Sequence, residues 1–293
     1  MQLFVNDLTV MDFSYLCPKR GMVGESWIVD VALNGELNEE SMILDFGKVK
    51  KQLKSLIDEY VDHKLLVPVE HEYSNIVHDE ANDVVKVSFS RPARQSIHLL
   101  CPAEAYAFIY SNEIDMASVG KYLQQVIAIH LPDNVADIEL FLRAEVINTP
   151  FYHYTHGLKK HDGNCQRIAH GHRSKILIEK NDTLSFEAMQ YWADRWADIY
   201  VATAEDQIQV NELRADYSDI SDSSHYAFAY ESSQGYFEIV LPHNITEIIN
   251  TDTTVECLAQ YLLQQSEAYE PATAYTIHAY EGVGKGARVK SHS

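Results

Sequence analysis

The chain repeats itself, and that constrains its architecture more than any other feature. Val84–Gln125, containing VVKVSFSRPARQSIHLLCP and VGKYLQQ, parallels Tyr226–Gln265, containing YAFAYESSQGYFEIVLP and CLAQYLLQQ, at an offset close to 140 residues. Each copy reads as an alternating strand, a turn, a second strand ending in Pro102 or Pro242, and a helix ending near Gln125 or Gln265. Alternating segments open each half, Leu3–Tyr15 and Ser26–Leu33 in the first, Glu145–His156 and Ser174–Ile178 in the second. A helix is expected next, over Phe46–Val61 and over Ser185–Ala202, and closing strands over Ala136–Ala144 and Ala274–Tyr280. The pattern predicts an α+β chain of two tandem units, 1–148 and 149–293, each a mainly antiparallel sheet with helices on one face.

Composition narrows the class. Of 293 residues, 46% are apolar and 23% charged, which suits a chain that buries a core. Stretches such as Ile97–Pro102 and Ala105–Asn112 fall short of the roughly 18 apolar residues a membrane helix needs. Met1–Asp12 has no basic segment ahead of an apolar one, so neither membrane insertion nor secretion is expected. Cys17, Cys101, Cys165 and Cys257 have no paired spacing, which argues against a disulfide framework and fits a reducing cytoplasm. With 23 Lys+Arg against 43 Asp+Glu, the net charge of −20 repels phosphate backbones, and nucleic acid is not an expected partner. The balance reverses locally at Lys159, Lys160, Arg167, Arg173 and Lys175, a cluster that could be a solvated face or a path for an anion.

His170-Gly171-His172 is the sharpest chemical feature. In an extended segment, side chains two apart share a face, so both imidazoles can reach one ion. His156 offers a third, and three protein ligands with an open position are how a catalytic zinc site is built. His153 and His161 are weaker competitors. Cys165, five residues before His170, would be a small buried hydrophobe in the plain reading; beside a dication and Arg167 its thiolate could serve as base or nucleophile.

The pattern Tyr152-x3-His156-Gly-Leu158 followed by Cys165-x4-His170-Gly-His172 resembles the 6-pyruvoyl-tetrahydropterin synthase and 6-carboxytetrahydropterin synthase family, where such segments supply zinc ligands and a catalytic thiol. Leu33-Asn-Gly-Glu-Leu37, Met42-Ile-Leu-Asp45-Phe46-x-x-Val49 and Val61-Asp62-His63-Lys-Leu-Leu resemble further family marks, the last its Asp-His pair. Thr253-Thr254-Val-Glu256 resembles its Pro-Thr-x-Glu segment, and Tyr280-Glu281-Gly282 its pterin-holding glutamate.

The resemblance implies the tunnelling fold, or T-fold, in each unit. It implies Zn2+ on His156, His170 and His172, catalysis by Cys165, Asp62 and His63, and substrate contacts from Glu281, Thr253, Thr254 and Glu256. The implied reaction is elimination of triphosphate from 7,8-dihydroneopterin triphosphate. The short loop between His156 and Cys165 leans to the carboxy product of queuosine and deazapurine synthesis; the pyruvoyl product is the alternative. Non-catalytic zinc and pterin binding and a zinc hydrolase are rival readings. Aligning the halves places Tyr15, Val23 and Glu25 opposite the three histidines, so the first unit should bind no zinc, and places Asp206-Gln207 opposite Asp62-His63. A complete site would then form wherever a first unit meets a second, and association of chains into a homo-oligomer is expected, a dimer of tandem chains closing one barrel.

Overall fold

The computed structural model describes residues 1–291. The first half runs β1 (Gln2–Cys17), β2 (Gly21–Gly35), α1 (Phe46–Tyr60), β3 (Leu65–Pro68), β4 (Ser74–Asp79), β5 (Val84–Phe89), β6 (Ile97–Cys101), β7 (Tyr106–Ile109), α2 (Met116–Ala128) and β8 (Val135–Ala144). The second runs β9 (Phe151–His156), β10 (His170–Lys180), β11 (Thr183–Leu184), α3 (Phe186–Arg195), β12 (Ala197–Thr203), β13 (Gln207–Ile208), β14 (His225–Ser232), β15 (Gly235–Pro242), β16 (Thr246–Ile249), α4 (Val255–Tyr269), β17 (Tyr275–Tyr280) and β18 (Gly286–Lys290). The order repeats, as the sequence predicts, and the fold is α+β in two halves of like element order.

Each half builds a sheet of its own, β7-β3-β1-β2-β8 in the first and β16-β12-β9-β10-β17-β18 in the second. The internal hairpins join into a third sheet, β13-β14-β15-β6-β5-β4, in which β15 of one half pairs antiparallel with β6 of the other. Segment 70–84 contributes the edge strand β4 of that sheet.

Side-chain alternation decides what each face meets. On β1, Met11 and Phe13 enter a core with Val49, Leu53 and Ile57 of α1 and Leu123 and Ile127 of α2. On β9 and β10, Tyr152, Tyr154, Ile176 and Ile178 pack with Trp192 of α3 and Leu258 and Leu262 of α4. Each fully buried side chain of this kind contributes roughly 1.5–3 kcal/mol. The helices start where capping side chains demand it: Asp45 accepts from Lys48 N, Asp115 from Ser118 N, Ser185 from Ala188 N and Thr254 from Cys257 N.

Two sequence expectations need correction. The helix predicted over Ser185–Ala202 stops at Arg195, because Ile199-Tyr200-Val201 enters the sheet as β12, parallel to β9. The sheets are mixed, since the short strands β3, β7, β12 and β16 all pair in parallel. At one end of the second half's sheet, Gly286–Lys290 forms the edge strand β18, which carries Arg288 and Lys290.

The opposite faces of the two hairpins β1–β2 and β9–β10 lie across one another. Ser14 Oγ and Thr155 Oγ1 are 2.7 Å apart at the crossing. Gly24, opposite Ser14, and Gly171, opposite Thr155, make the approach possible: a Cβ on Gly24 would stand 1.9 Å from Tyr154 O, and one on Gly171 2.6 Å from Gly24 Cα. The glycine of His-Gly-His thus sets how closely the halves meet.

Candidate active site

Strand register assembles the imidazoles. His156 pairs with His170 and Tyr154 with His172 across β9–β10, so the three rings stand together at the strand ends, His156 and His170 with centroids 4.5 Å apart. All three residues are fully buried. Two Nδ1 atoms are hydrogen-bonded, His156 to Thr253 O at 2.9 Å and Thr253 Oγ1 at 3.0 Å and His170 to Arg167 O at 3.1 Å, whereas His172 Nδ1 lies 3.2 Å from Asp12 Oδ1 without the alignment of a hydrogen bond. The Nε2 atoms of all three are buried without a hydrogen-bond partner. Burial holds His156 and His170 well below the usual histidine range, so both rings stay neutral and able to donate lone pairs. The three candidate ligand atoms lie within 4.8 Å of one another. An orphaned buried nitrogen costs about 1–3 kcal/mol, and three aimed together fit a cation of zinc's donor preference.

The end of α1 delivers the other catalytic candidates. Val61 N and Asp62 N both bond to Ile57 O, closing the helix, and His63 then takes a left-handed φ of 54° with its N–H donated to Asp12 O at 2.7 Å. That turn swings the Asp62-His63 pair into the second half. Asp62 Oδ2 is 2.5 Å from His63 Nδ1, and the His63 ring lies 5.2 Å from that of His170, tilted by 51°. Burial alone would lower the His63 pKa, but hydrogen bonds to Asp62 and Cys165 raise it to about 10. Cys165 Sγ lies within 4.8 Å of ring nitrogens of both His63 and His170. Its loop is pinned to the third sheet, where Tyr230 Oη donates to Gln166 O and Gln234 N donates to Gln166 Oε1.

Glu281 Oε1 is 3.9 Å from His172 Nε2, while Lys285 Nζ lies 3.7 Å from Glu281 and 3.2 Å from Asp12 Oδ2. Burial pushes the Asp12 carboxyl up, but the charges of His172 and Lys285 hold it below the usual carboxylate range. The remaining sequence candidates separate. Thr253 is at the centre but holds His156, Thr254 uses its hydroxyl on the α4 cap, and Glu256 is exposed in the first turn of that helix.

Two further expectations change. Within the basic cluster, Lys159 pairs with Asp206 and Glu205, Lys160 with Asp252, and Lys175 with Glu145, while Arg173 donates to Glu145 O. Among the described residues, Arg167 has no carboxylate ion-pair partner, and its Nη1 lies 3.5 Å from His63 O, beside the site. It lines a cavity of about 440 Å3 with Lys64, a residue that sequence reasoning missed. Burial and the Arg167 charge lower the Lys64 pKa to about 8. The second change concerns Asp206-Gln207, which is not the counterpart of Asp62-His63. Leu65 pairs with Ser14 as Tyr200 pairs with Thr155, so counting back two residues sets His63 opposite Asp198, which shares its left-handed conformation at φ 56°.

Residues 17–132 match the sequence profile described as 6-pyruvoyl tetrahydropterin synthase. A provisionally assigned 6-carboxy-5,6,7,8-tetrahydropterin synthase of Methanocaldococcus jannaschii is 35% identical over 108 residues, which are 33% of this chain and 64% of that relative's length. Similar solved structures include the 6-pyruvoyl tetrahydropterin synthase of Plasmodium vivax (16% identity, TM-score 0.39, 51% of this chain and 93% of that one). Another is the enzyme of Plasmodium falciparum (12% identity, TM-score 0.38, 48% and 90%). No helix among the described residues is long and apolar enough to cross a membrane.

Proposed function

We propose, on the match of residues 17–132 to the 6-pyruvoyl tetrahydropterin synthase profile, that this chain is a zinc-dependent pterin lyase that eliminates triphosphate from 7,8-dihydroneopterin triphosphate, with the carboxytetrahydropterin as product. The observation that carries the reading is the trio of buried, unpartnered Nε2 atoms on His156, His170 and His172 beside Cys165, His63 and Asp62.

The histidines would hold the ion, which supplies Lewis acidity toward the hydroxyls of the substrate side chain. The protein's own groups do the rest. Asp62 fixes the His63 ring and favours its charged form, so His63 can hold a proton at Nε2 and return it to the substrate. Cys165, beside His63 and His170, is the group placed to act as the base that takes a proton from carbon. Glu281 offers a carboxylate for the paired N–H donors of the aminopyrimidine edge, the feature that distinguishes a pterin from rings lacking them. Lys64 and Arg167 stand where an anionic phosphate tail needs positive charge in an otherwise acidic protein.

In this reading the active site is composite within one chain: metal ligands, thiol and pterin anchor come from 149–293, and the Asp-His pair from 1–148. Triphosphate release from 7,8-dihydroneopterin triphosphate should be rapid in the zinc-loaded protein, abolished by a chelator and restored by Zn2+. Unchanged release in chelator would end the metal-dependent reading.

A further inference from the structure

We infer that Asp12 is a positioning residue for the metal centre, a charged group through which the N-terminal unit fixes a ligand of the C-terminal unit. The inference rests on the proposed reading of His156, His170 and His172 as metal ligands.

The three ligands are not oriented alike. His156 and His170 turn their Nδ1 atoms toward neutral acceptors, the backbone oxygens of Thr253 and Arg167 and the Thr253 hydroxyl, all within the same half. His172 instead has a carboxylate oxygen from β1 at 3.2 Å from its Nδ1, an ion-pair distance without hydrogen-bond alignment, and the nitrogen has no other partner. Asp12 is 3% exposed. Burying an ionised carboxylate costs several kcal/mol unless charges and donors compensate it. Compensation comes largely from the other half: His172 on Oδ1 and Lys285, at 3.2 Å, on Oδ2. From its own half the carboxylate receives the Ser26 hydroxyl, 2.5 Å from Oδ1. The neighbours Met11 and Phe13 belong to the first unit's core, whereas the Asp12 side chain projects from the opposite face into the second unit.

The Asp12 backbone serves the same centre. Its N–H donates to Asp62 Oδ1 at 2.7 Å, and its carbonyl accepts from His63 N at 2.7 Å. One residue therefore aims a metal ligand with its side chain and the Asp62-His63 pair with its main chain. A carboxylate on Nδ1 orients the ring, directs Nε2 to the ion and raises the basicity of the ligand.

The test compares Zn2+ and Co2+ affinity of the full-length wild type and Asp12→Asn, by competition with a chromophoric chelator. Asn keeps the size of the side chain and loses its charge. Asp12→Asn should bind either ion about 10–100-fold more weakly, with a shifted Co2+ visible spectrum and helical circular dichroism like that of the wild type. Should Asp12→Asn misfold, Ser26→Ala, which removes the donor steadying the carboxylate, should weaken affinity in the same direction by a smaller factor. Affinity within twofold of wild type with an unchanged Co2+ spectrum would overturn the role of Asp12 while leaving the metal centre standing. A wild type that takes up no metal, or a His170→Ala variant that takes up as much as wild type, would bring down the centre and this inference with it.

Discussion

The crossing of β1–β2 over β9–β10 creates two related corners, and they differ in whether the chain itself fills them with a cation. In one, His156, His170 and His172 present three bare Nε2 atoms and His63 closes over them from the other half. In the other, the same strand positions carry Tyr15, Val23 and Glu25, and Asp198 arrives from the opposite half with the backbone conformation of His63. That second corner is filled from within. Arg20, on the three-residue turn between β1 and β2, grips Asp198 through Nε at 2.8 Å and Nη2 at 2.5 Å and reaches the Tyr15 hydroxyl at 3.4 Å. A guanidinium carries a fixed charge and forks onto a carboxylate, so this corner supplies its own cation. The first corner has a 13-residue loop at the equivalent connection, with Cys165 and Arg167 on it, and leaves its nitrogens unsatisfied. In the proposed reading, duplication lets one copy keep the chemistry while the other becomes a structural clasp.

This contrast predicts one zinc per chain, and the most drastic way to break it is to give the first corner the second corner's residue. His172→Glu, copying Glu25, should reduce zinc from one per chain to none in metal analysis after dialysis at micromolar zinc, and abolish triphosphate release. Two zinc ions per wild-type chain would refute the divergence. A smaller effect is expected where the halves exchange parts: His63→Gln should lower kcat about 10²- to 10⁴-fold while the zinc content stays at one. Turnover equal to the unmutated chain would show that the first half contributes no proton carrier.

Why some of this was legible in the sequence and some not follows from what each feature depends on. His156, His170 and His172 were readable because a period of two puts neighbours on one face, and because register across a short hairpin is a local matter. The pairing of Asp62-His63 with Cys165 followed from a resemblance, since nothing local links residues about 100 apart. Asp12 carries no sequence signal: a single carboxylate on an alternating strand reads as a solvated face, and only the close crossing at Gly24 and Gly171 turns that face inward. The short parallel strands β3, β7, β12 and β16 span four to seven residues each and were lost beneath the stronger signals of helix and hairpin. The shift from Asp206 to Asp198 has a similar origin, because equivalence is fixed by ladder register and backbone conformation, neither of which residue identity displays.

The finest difference between the corners is electrostatic, and it has a sign. Burial raises the Glu25 pKa from 4.5 to about 6, against the pull of the Ser26 N–H and Arg173, and the side chain is 11% exposed. A carboxyl whose folded pKa lies above its unfolded one binds protons more tightly in the folded state, so stability falls as pH rises from about 4.5 to 6. The cost approaches ~2 kcal/mol once both states are ionised. Glu25→Gln keeps an acceptor for Ser26 N and removes the charge, so it should stabilise the chain by up to ~2 kcal/mol at pH 8, with a markedly smaller gain at pH 5. Denaturant unfolding at the two pH values measures the difference. A gain independent of pH would mean that Glu25 does not titrate in this interval. A loss at pH 8 would mean that Arg20 and Arg173 over-compensate the carboxylate, making the clasp a net ionic contact.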